Sequence, residues 1–255
     1  MNDYFKKYKI YLPEISDEKK NKLTEYFNIL INTAKPLKFI ADAEIETLWL
    51  RHILDSLVPF QIKSFQQIIN KSKYIFDLGT GAGLPGIPLS ILYEKNKIYL
   101  IESSFNKSIF LKDTISQLNL KNVNIINNPV QNYGIDEIKA DLVLFRAFKK
   151  PLVSLELSLY VLKNISKVLY WRSKPFFNVE PNFNNHSVNK DDSNTMILER
   201  IFNLGFHKNS FFRLSSPGAL GERGVYLFEK DSEKSKQFPR SLKKIESDKF
   251  INSII

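Results

Sequence analysis

There is no cysteine anywhere in the 255 residues. Disulfides, thiolate metal sites and cysteine nucleophiles are therefore excluded together. Histidine is nearly as scarce, with three in the chain, and only His52 has an acid of a candidate motif close by, Asp55. Long apolar runs are missing too. Charge interrupts every one well short of the ~18 residues that a membrane span needs. The first eleven residues, Met1 to Tyr11, are charged and lack the apolar segment of a secretory signal, so a cytoplasmic location without membrane contact is expected. No internal repeat is visible.

An apolar fraction of 43% and 13% aromatics supply a real core and argue against disorder. The length fits one large domain, or a core domain with a smaller appendage. Net charge is +10, which suits an anionic partner such as nucleic acid. The lysine runs at Lys6–Lys9 and Lys19–Lys22 and in the C-terminal tail are candidates for holding phosphates. Plentiful Lys, Asn, Ile and Phe also allow a purely compositional origin for the excess.

Residues 1–70 read as a helical segment. Ser16 can cap a helix in which Leu23, Phe27, Leu30, Ile31 and Ala34 recur at helical spacing until Pro36 stops it. A second amphipathic stretch starts near Asp42, carries Ile45, Leu48, Trp49, His52 and Leu57, and ends before Pro59. From Lys73 the character changes. Candidate strands are Tyr74–Leu78, Ile98–Glu102, Val123–Asn127, Asp141–Phe145, Val168–Arg172 and Val225–Glu229, with a weaker one near Phe211–Leu214. Helical patterns lie between most of them, notably Phe105–Leu118 and Leu152–Leu162. Such alternation predicts an α/β fold with a doubly wound parallel sheet over 71–230. The last two strand candidates are joined by Pro217, Gly218, Gly221 and Gly224 rather than by a helix. That predicts a terminal antiparallel hairpin, the mark of the class I methyltransferase version of the Rossmann-like fold. Lys174–Asn194 reads as a loop or insertion, and 231–255 as a charged, loosely ordered tail.

The stretch "FDLGTGAGLPGIP", Phe76 to Pro88, holds two overlapping glycine patterns. One is the G-x-G-x-x-G of dinucleotide sites, and the other is the D-x-G-x-G-x-G of methyltransferases that use S-adenosylmethionine. Both need a tight turn and a backbone that a ligand can approach. Glu102, at the end of the second strand, can accept from the two hydroxyls of a ribose, which both ligands possess. Two residues discriminate. Pro85 stands where a pyrophosphate-binding helix would start and has no N–H to offer. Asp77 places a carboxylate in the crevice, which repels a pyrophosphate but suits the ammonium and sulfonium charges of S-adenosylmethionine. A role for Asp77 in tying down loop amides is the structural alternative.

"RHILDSL" (Arg51–Leu57) followed by "DLGTGAGLPGIPLSI" (Asp77–Ile91) resembles the bacterial GidB, or RsmG, family of ribosomal RNA small-subunit methyltransferases G. "ESSFNKSIFL" (Glu102–Leu111), "RAF" (Arg146–Phe148), "GER" (Gly221–Arg223) and "FPR" (Phe238–Arg240) extend the resemblance through most of the chain. The family methylates N7 of one guanine in small-subunit (16S) rRNA. The resemblance implies loop contacts to S-adenosylmethionine from Gly79, Gly81 and Leu84, a ribose contact from Glu102, and adenine contacts from Val130 and Gln131. It also implies that Arg146 faces both cofactor and substrate. The chain departs from the family pattern at Lys38-Phe39-Ile40 in "TAKPLKFIA", at Pro129, at Arg172 and at Ala82.

N7 of guanine carries a lone pair in the neutral base, so in-line displacement needs no obligatory general base. The absence of cysteine and of an N-P-P-Y or D-P-P-Y motif fits that chemistry. Arg223 can bond the guanine O6 edge or a phosphate. His52 and Asp55 are expected to form a structural clasp between the N-terminal helices and the nucleotide loop. The expected partner is small-subunit rRNA, free or in the 30S particle, with no metal and with the chain acting as a monomer. Methylation of another RNA or a protein, an RNA-binding assembly factor without transfer activity, and a dinucleotide oxidoreductase are the rival readings.

Overall fold

The computed structural model describes residues 2–134, 137–172, 193–231 and 237–248. Seven strands form one sheet in the order β3-β2-β1-β4-β5-β7-β6. They are β1 (Tyr74–Leu78), β2 (Lys97–Ile101), β3 (Val123–Ile126), β4 (Ala140–Arg146), β5 (Leu162–Arg172), β6 (Phe206–Leu214) and β7 (Arg223–Lys230). The first five are parallel, and β7 runs antiparallel between β5 and β6. The expected doubly wound sheet and terminal hairpin are both present, with a single 3-10 turn, Gly218–Leu220, in the hairpin connection.

Side-chain alternation sends the two faces of each central strand into different cores. Ile75, Leu142 and Leu144 face a core shared with the N-terminal helices. Phe76, Leu78, Val143 and Phe145 face the other. The N-terminal layer comprises α1 (Asn2–Lys7), α2 (Asp17–Ile29), α3 (Ile45–Trp49), α4 (Asp55–Leu57) and α5 (Lys63–Lys71), and it packs with α6 (Gly86–Leu92) and α7 (Phe105–Gln117). The opposite layer comprises α8 (Pro151–Ser158), α9 (Ser193–Asn203) and α10 (Leu242–Glu246).

Ser16 caps α2 through the Lys19 N–H, as its position predicts. Both N-terminal helices contain a wider turn, however. Leu30–Ala34 prolongs α2 as a π-helical turn, and Leu50–Leu54 joins α3 to α4 in the same way. Periodicity alone does not reveal such turns, which often accompany functional sites.

Several expectations need correction. The helix read as Leu152–Leu162 ends at Ser158, because Leu162 already pairs with Ala140 as the first residue of β5. Pairing to β4 overrides a helical spacing in this β-branched and aromatic run. The weak strand near Phe211 is nine residues long and starts at Phe206. Its polar Lys208, Asn209 and Ser210 hid it, yet such residues suit an edge strand. Helix α9 has no counterpart among the elements read from the sequence; of the loop or insertion expected over Lys174–Asn194, residues 174–192 lie outside the described residues, and Ser193 and Asn194 open α9 instead. The tail is not loose over 237–248: Phe238 and Ile245 enter the second core.

Candidate functional site

The glycine loop lies beyond the carboxyl end of β1, at the point where strand order reverses between β1 and β4. Gly79, Gly81 and Gly83 all have positive φ, at 67°, 60° and 99°. At Gly79 a Cβ would run into the Phe148 ring, and at Gly83 into Ile87. At Gly81 it would meet nothing nearer than the Gly79 carbonyl at 4.0 Å, so the loop is open on that side. Glycine at 79 serves close packing within the protein, while Gly81 leaves room for something outside it.

Glu102 holds the open side. Its Oε2 accepts from the Gly81 N–H at 3.0 Å and its Oε1 from the Ser104 N–H at 2.8 Å. Each carboxylate oxygen retains a lone pair after these bonds, which a diol can use. Asn127 donates to the Glu102 carbonyl and fixes the strand end from β3.

Asp77 does not face into the crevice. It lies fully buried beneath the loop, where Oδ2 accepts from Thr80 Oγ1 at 2.6 Å and from the Gly86 N–H at 2.8 Å. This is the loop-tying arrangement, and a carboxylate at the first turn of α6 also meets the helix dipole favourably. Burial raises its pKa to about 6, against the lowering effects of Thr80, the Gly86 amide and Arg146. Oδ1 is buried without a partner among the described residues. Leu84 is likewise buried, its N–H donating to Thr80 O.

The clasp between N-terminal helices and loop is Tyr26, whose hydroxyl donates to the Ala82 carbonyl at 2.7 Å. The pair His52–Asp55 expected in that role does not form. Both ring nitrogens of His52 are buried without partners among the described residues. Burial, with Arg146 and Arg51 nearby, lowers the His52 pKa to about 3, so the ring is neutral near pH 7.

Asp55 instead joins the two arginines singled out in the sequence. Oδ2 takes Arg146 Nη1 at 3.1 Å, and Oδ1 takes Arg223 Nε at 2.9 Å. Arg146 ends β4 and Arg223 begins β7; because β7 is antiparallel, both reach the same end of the sheet. The π-turn assists. It directs the Asp55 N–H to the Leu50 carbonyl, off the Arg51 carbonyl it would meet in an α-helix, and Arg51 O accepts Arg146 Nη1 at 2.9 Å. Trp171 Nε1 donates to the Asp55 carbonyl from β5.

Beside the loop lies a cleft of about 250 Å³. Gly79, Val130 and Gln131 line it together with Phe148, Leu157 and Leu242. Val130 and Gln131 sit on a 3-10 turn after β3, Val130–Asn132. Arg146, Gly81 and Glu102 are outside this cleft, toward the loop and the Asp55 cluster. Phe148, Asp55 in its arginine-bridging role and the contribution of Leu242 escaped sequence reasoning. Only for Phe148 was a signal at hand, its place in "RAF" after the strand-end arginine.

Comparison with known proteins identifies the relatives of the chain. The family model described as rRNA small subunit methyltransferase G matches residues 19–193, more than half of the chain. A ribosomal RNA small subunit methyltransferase G of Lactobacillus helveticus is 28% identical over 229 residues, covering 89% of each chain. One of Mycoplasma capricolum is 37% identical over 149 residues, 58% of this chain; the match spans 62% of that relative's length. Among solved structures, an O-methyltransferase from Bacillus cereus in complex with SAH shares the fold, with a TM-score of 0.53 and 15% identity over 89% of this chain and 95% of that one.

Proposed function

Because the chain belongs to the rRNA small subunit methyltransferase G family, we propose that it transfers a methyl group from S-adenosylmethionine to N7 of a guanine in small-subunit rRNA. The observation that carries this reading is one arrangement at the switch point. A cradle open at Gly81 lies beside Glu102, whose two oxygens each have acceptor capacity left. These residues fit the cofactor. Glu102 would hold the ribose, Val130 and Gln131 the adenine, and the loop around Gly79 and Gly81 the methionine end.

The cofactor, when bound, supplies an electrophilic methyl group on a sulfonium. The rest falls to the chain. No side chain has to remove a proton, because N7 presents its lone pair in the neutral base. His52, with its pKa near 3, is in any case a poor base. Alignment is then the main task, and holding reactants in line is worth about 7–11 kcal/mol of barrier. Arg146 and Arg223, fixed by one carboxylate, are the cations at hand to orient the guanine through O6 or through a neighbouring phosphate. The substrate, on this reading, is RNA, free or within the small ribosomal particle, and no metal takes part.

The test uses radiolabelled S-adenosylmethionine and small subunits from a strain lacking this enzyme, with labelled positions mapped by cleavage at N7-methylguanine. Label at one guanine is expected, abolished by Gly79→Glu and greatly reduced by Arg146→Ala. No labelled guanine on either naked rRNA or particles sinks the proposal.

A further inference from the structure

The C-terminal segment attaches to helix α8 through a buried charge. Helix α8 is buried along its whole length, and Glu156 within it has only 1% of its side chain exposed. Arg240 meets that carboxylate as a fork, Nε to Oε1 at 2.9 Å and Nη2 to Oε2 at 2.7 Å. The Arg240 N–H adds a third bond to Oε1 at 2.9 Å. A buried carboxylate left without its cation is strongly destabilising, so the segment carrying Arg240 is built into the fold. Asp248 binds the far side of Arg240 and also Arg200 of α9. Phe238 fills the core beneath the two guanidinium groups, and Tyr160 donates to the Arg240 carbonyl.

This anchor places α10 over the cleft. Ile245 points into the core, while Leu242 lines the cleft with Val130, Gln131 and Gly79. Glu246 of the same helix pairs with Lys149 at 2.8 Å. Lys149 follows Phe148, whose ring packs on Gly79. The tail therefore reaches the site twice, through Leu242 directly and through the loop after β4.

We propose that α10 is part of the cofactor site, with Leu242 forming the outer apolar wall against the adenine, held in place by the Arg240–Glu156 anchor. The proposal rests on the cleft being the adenine end of the S-adenosylmethionine site. Adenine suits such a wall because its faces are apolar while its edge takes hydrogen bonds, which Gln131 and the backbone beside it can supply. Cofactor binding and docking of the tail are then linked: ligand that needs the wall stabilises the docked segment.

Titration calorimetry of the full chain with S-adenosylhomocysteine tests this. Leu242→Ala is expected to weaken binding by about 5–30-fold, the equivalent of losing one aliphatic contact surface. Leu242→Trp, which fills the cleft, should weaken it at least as much. Ser247→Ala, exposed at the end of the same helix, should bind as the wild type does. Ligand-free melting points report whether the variants fold, and amide exchange on the wild-type chain needs no variant: added S-adenosylhomocysteine should slow exchange across 239–246. Affinities unchanged in both Leu242 variants, or exchange across 239–246 indifferent to ligand, overturn the proposal while leaving the cofactor assignment intact. A wild-type chain that does not bind S-adenosylhomocysteine overturns the assignment itself.

Discussion

His52 is a neutral ring in a charged neighbourhood. Its lowered pKa has a definite consequence for stability, because the folded state resists a proton that the unfolded chain accepts near pH 6.5. Its contribution is fully present above that value and is lost as pH falls toward 3. Between pH 7.5 and pH 5.5 the loss amounts to about 1.4 kcal/mol. His52→Leu removes both the titration and two buried, unpartnered nitrogens. The variant should therefore equal or exceed the wild type at pH 7.5, and its advantage should grow at pH 5.5. Thermal or urea unfolding at the two pH values measures the gap; a gap that stays constant means that the ring is protonated in the fold.

At the scale of elements, the helix from Ile45 to Leu57 docks on two strand ends through one carboxylate. Asp55→Asn keeps the shape and removes the charge that two partly buried arginines share. A stability loss of about 3–5 kcal/mol is the upper range for breaking such a pair, and less is expected where water still reaches the cluster. The sharper expectation is kinetic. If Asp55 positions Arg146 and Arg223, kcat should fall by about 100-fold, while affinity for S-adenosylhomocysteine stays within about threefold. Equal losses in both would assign Asp55 to the scaffold alone.

These elements also show what the sequence made legible. The strands of the parallel sheet could be read because each is a short apolar run bounded by turns, and the loop because three glycines and Glu102 stand at fixed intervals. The hairpin was legible from its Pro217 and Gly218. What escaped depended on long-range pairing. Asp55 has no sequence signal linking it to Arg146 and Arg223, which lie far along the chain on other strands. Asp77 sits in the motif as expected, but only burial shows that it braces the loop from beneath. The tail looks polar from Asp231 onward, and its order comes from one buried acid, Glu156, hidden in an apolar helix.

The same dependence on pairing governs how the whole molecule can use its charge of +10. The lysine runs near the N-terminus are largely engaged within the protein. Lys7 pairs with Glu46, Lys20 with Asp17, Lys22 with Glu18 and Glu94, and Lys19 donates to the Leu92 carbonyl. Lys243 and Lys244 of α10 are exposed directly after Leu242, which lines the cleft, and Arg51 is exposed beside the Asp55 cluster. If RNA approaches the methyl donor over the carboxyl ends of the strands, phosphate contacts belong to this second set. Binding of an rRNA fragment should then fall steeply with salt, and Lys243→Gln with Lys244→Gln should lower the slope of log K against log salt by about 2. Lys20→Gln with Lys22→Gln should leave the slope unchanged, and S-adenosylhomocysteine affinity should vary little with salt in every variant. Fluorescence anisotropy between 50 and 200 mM salt, about the range over which such contacts weaken most visibly, separates the two sets. A slope lowered by the N-terminal pair and not by the α10 pair would put the RNA against α2 instead.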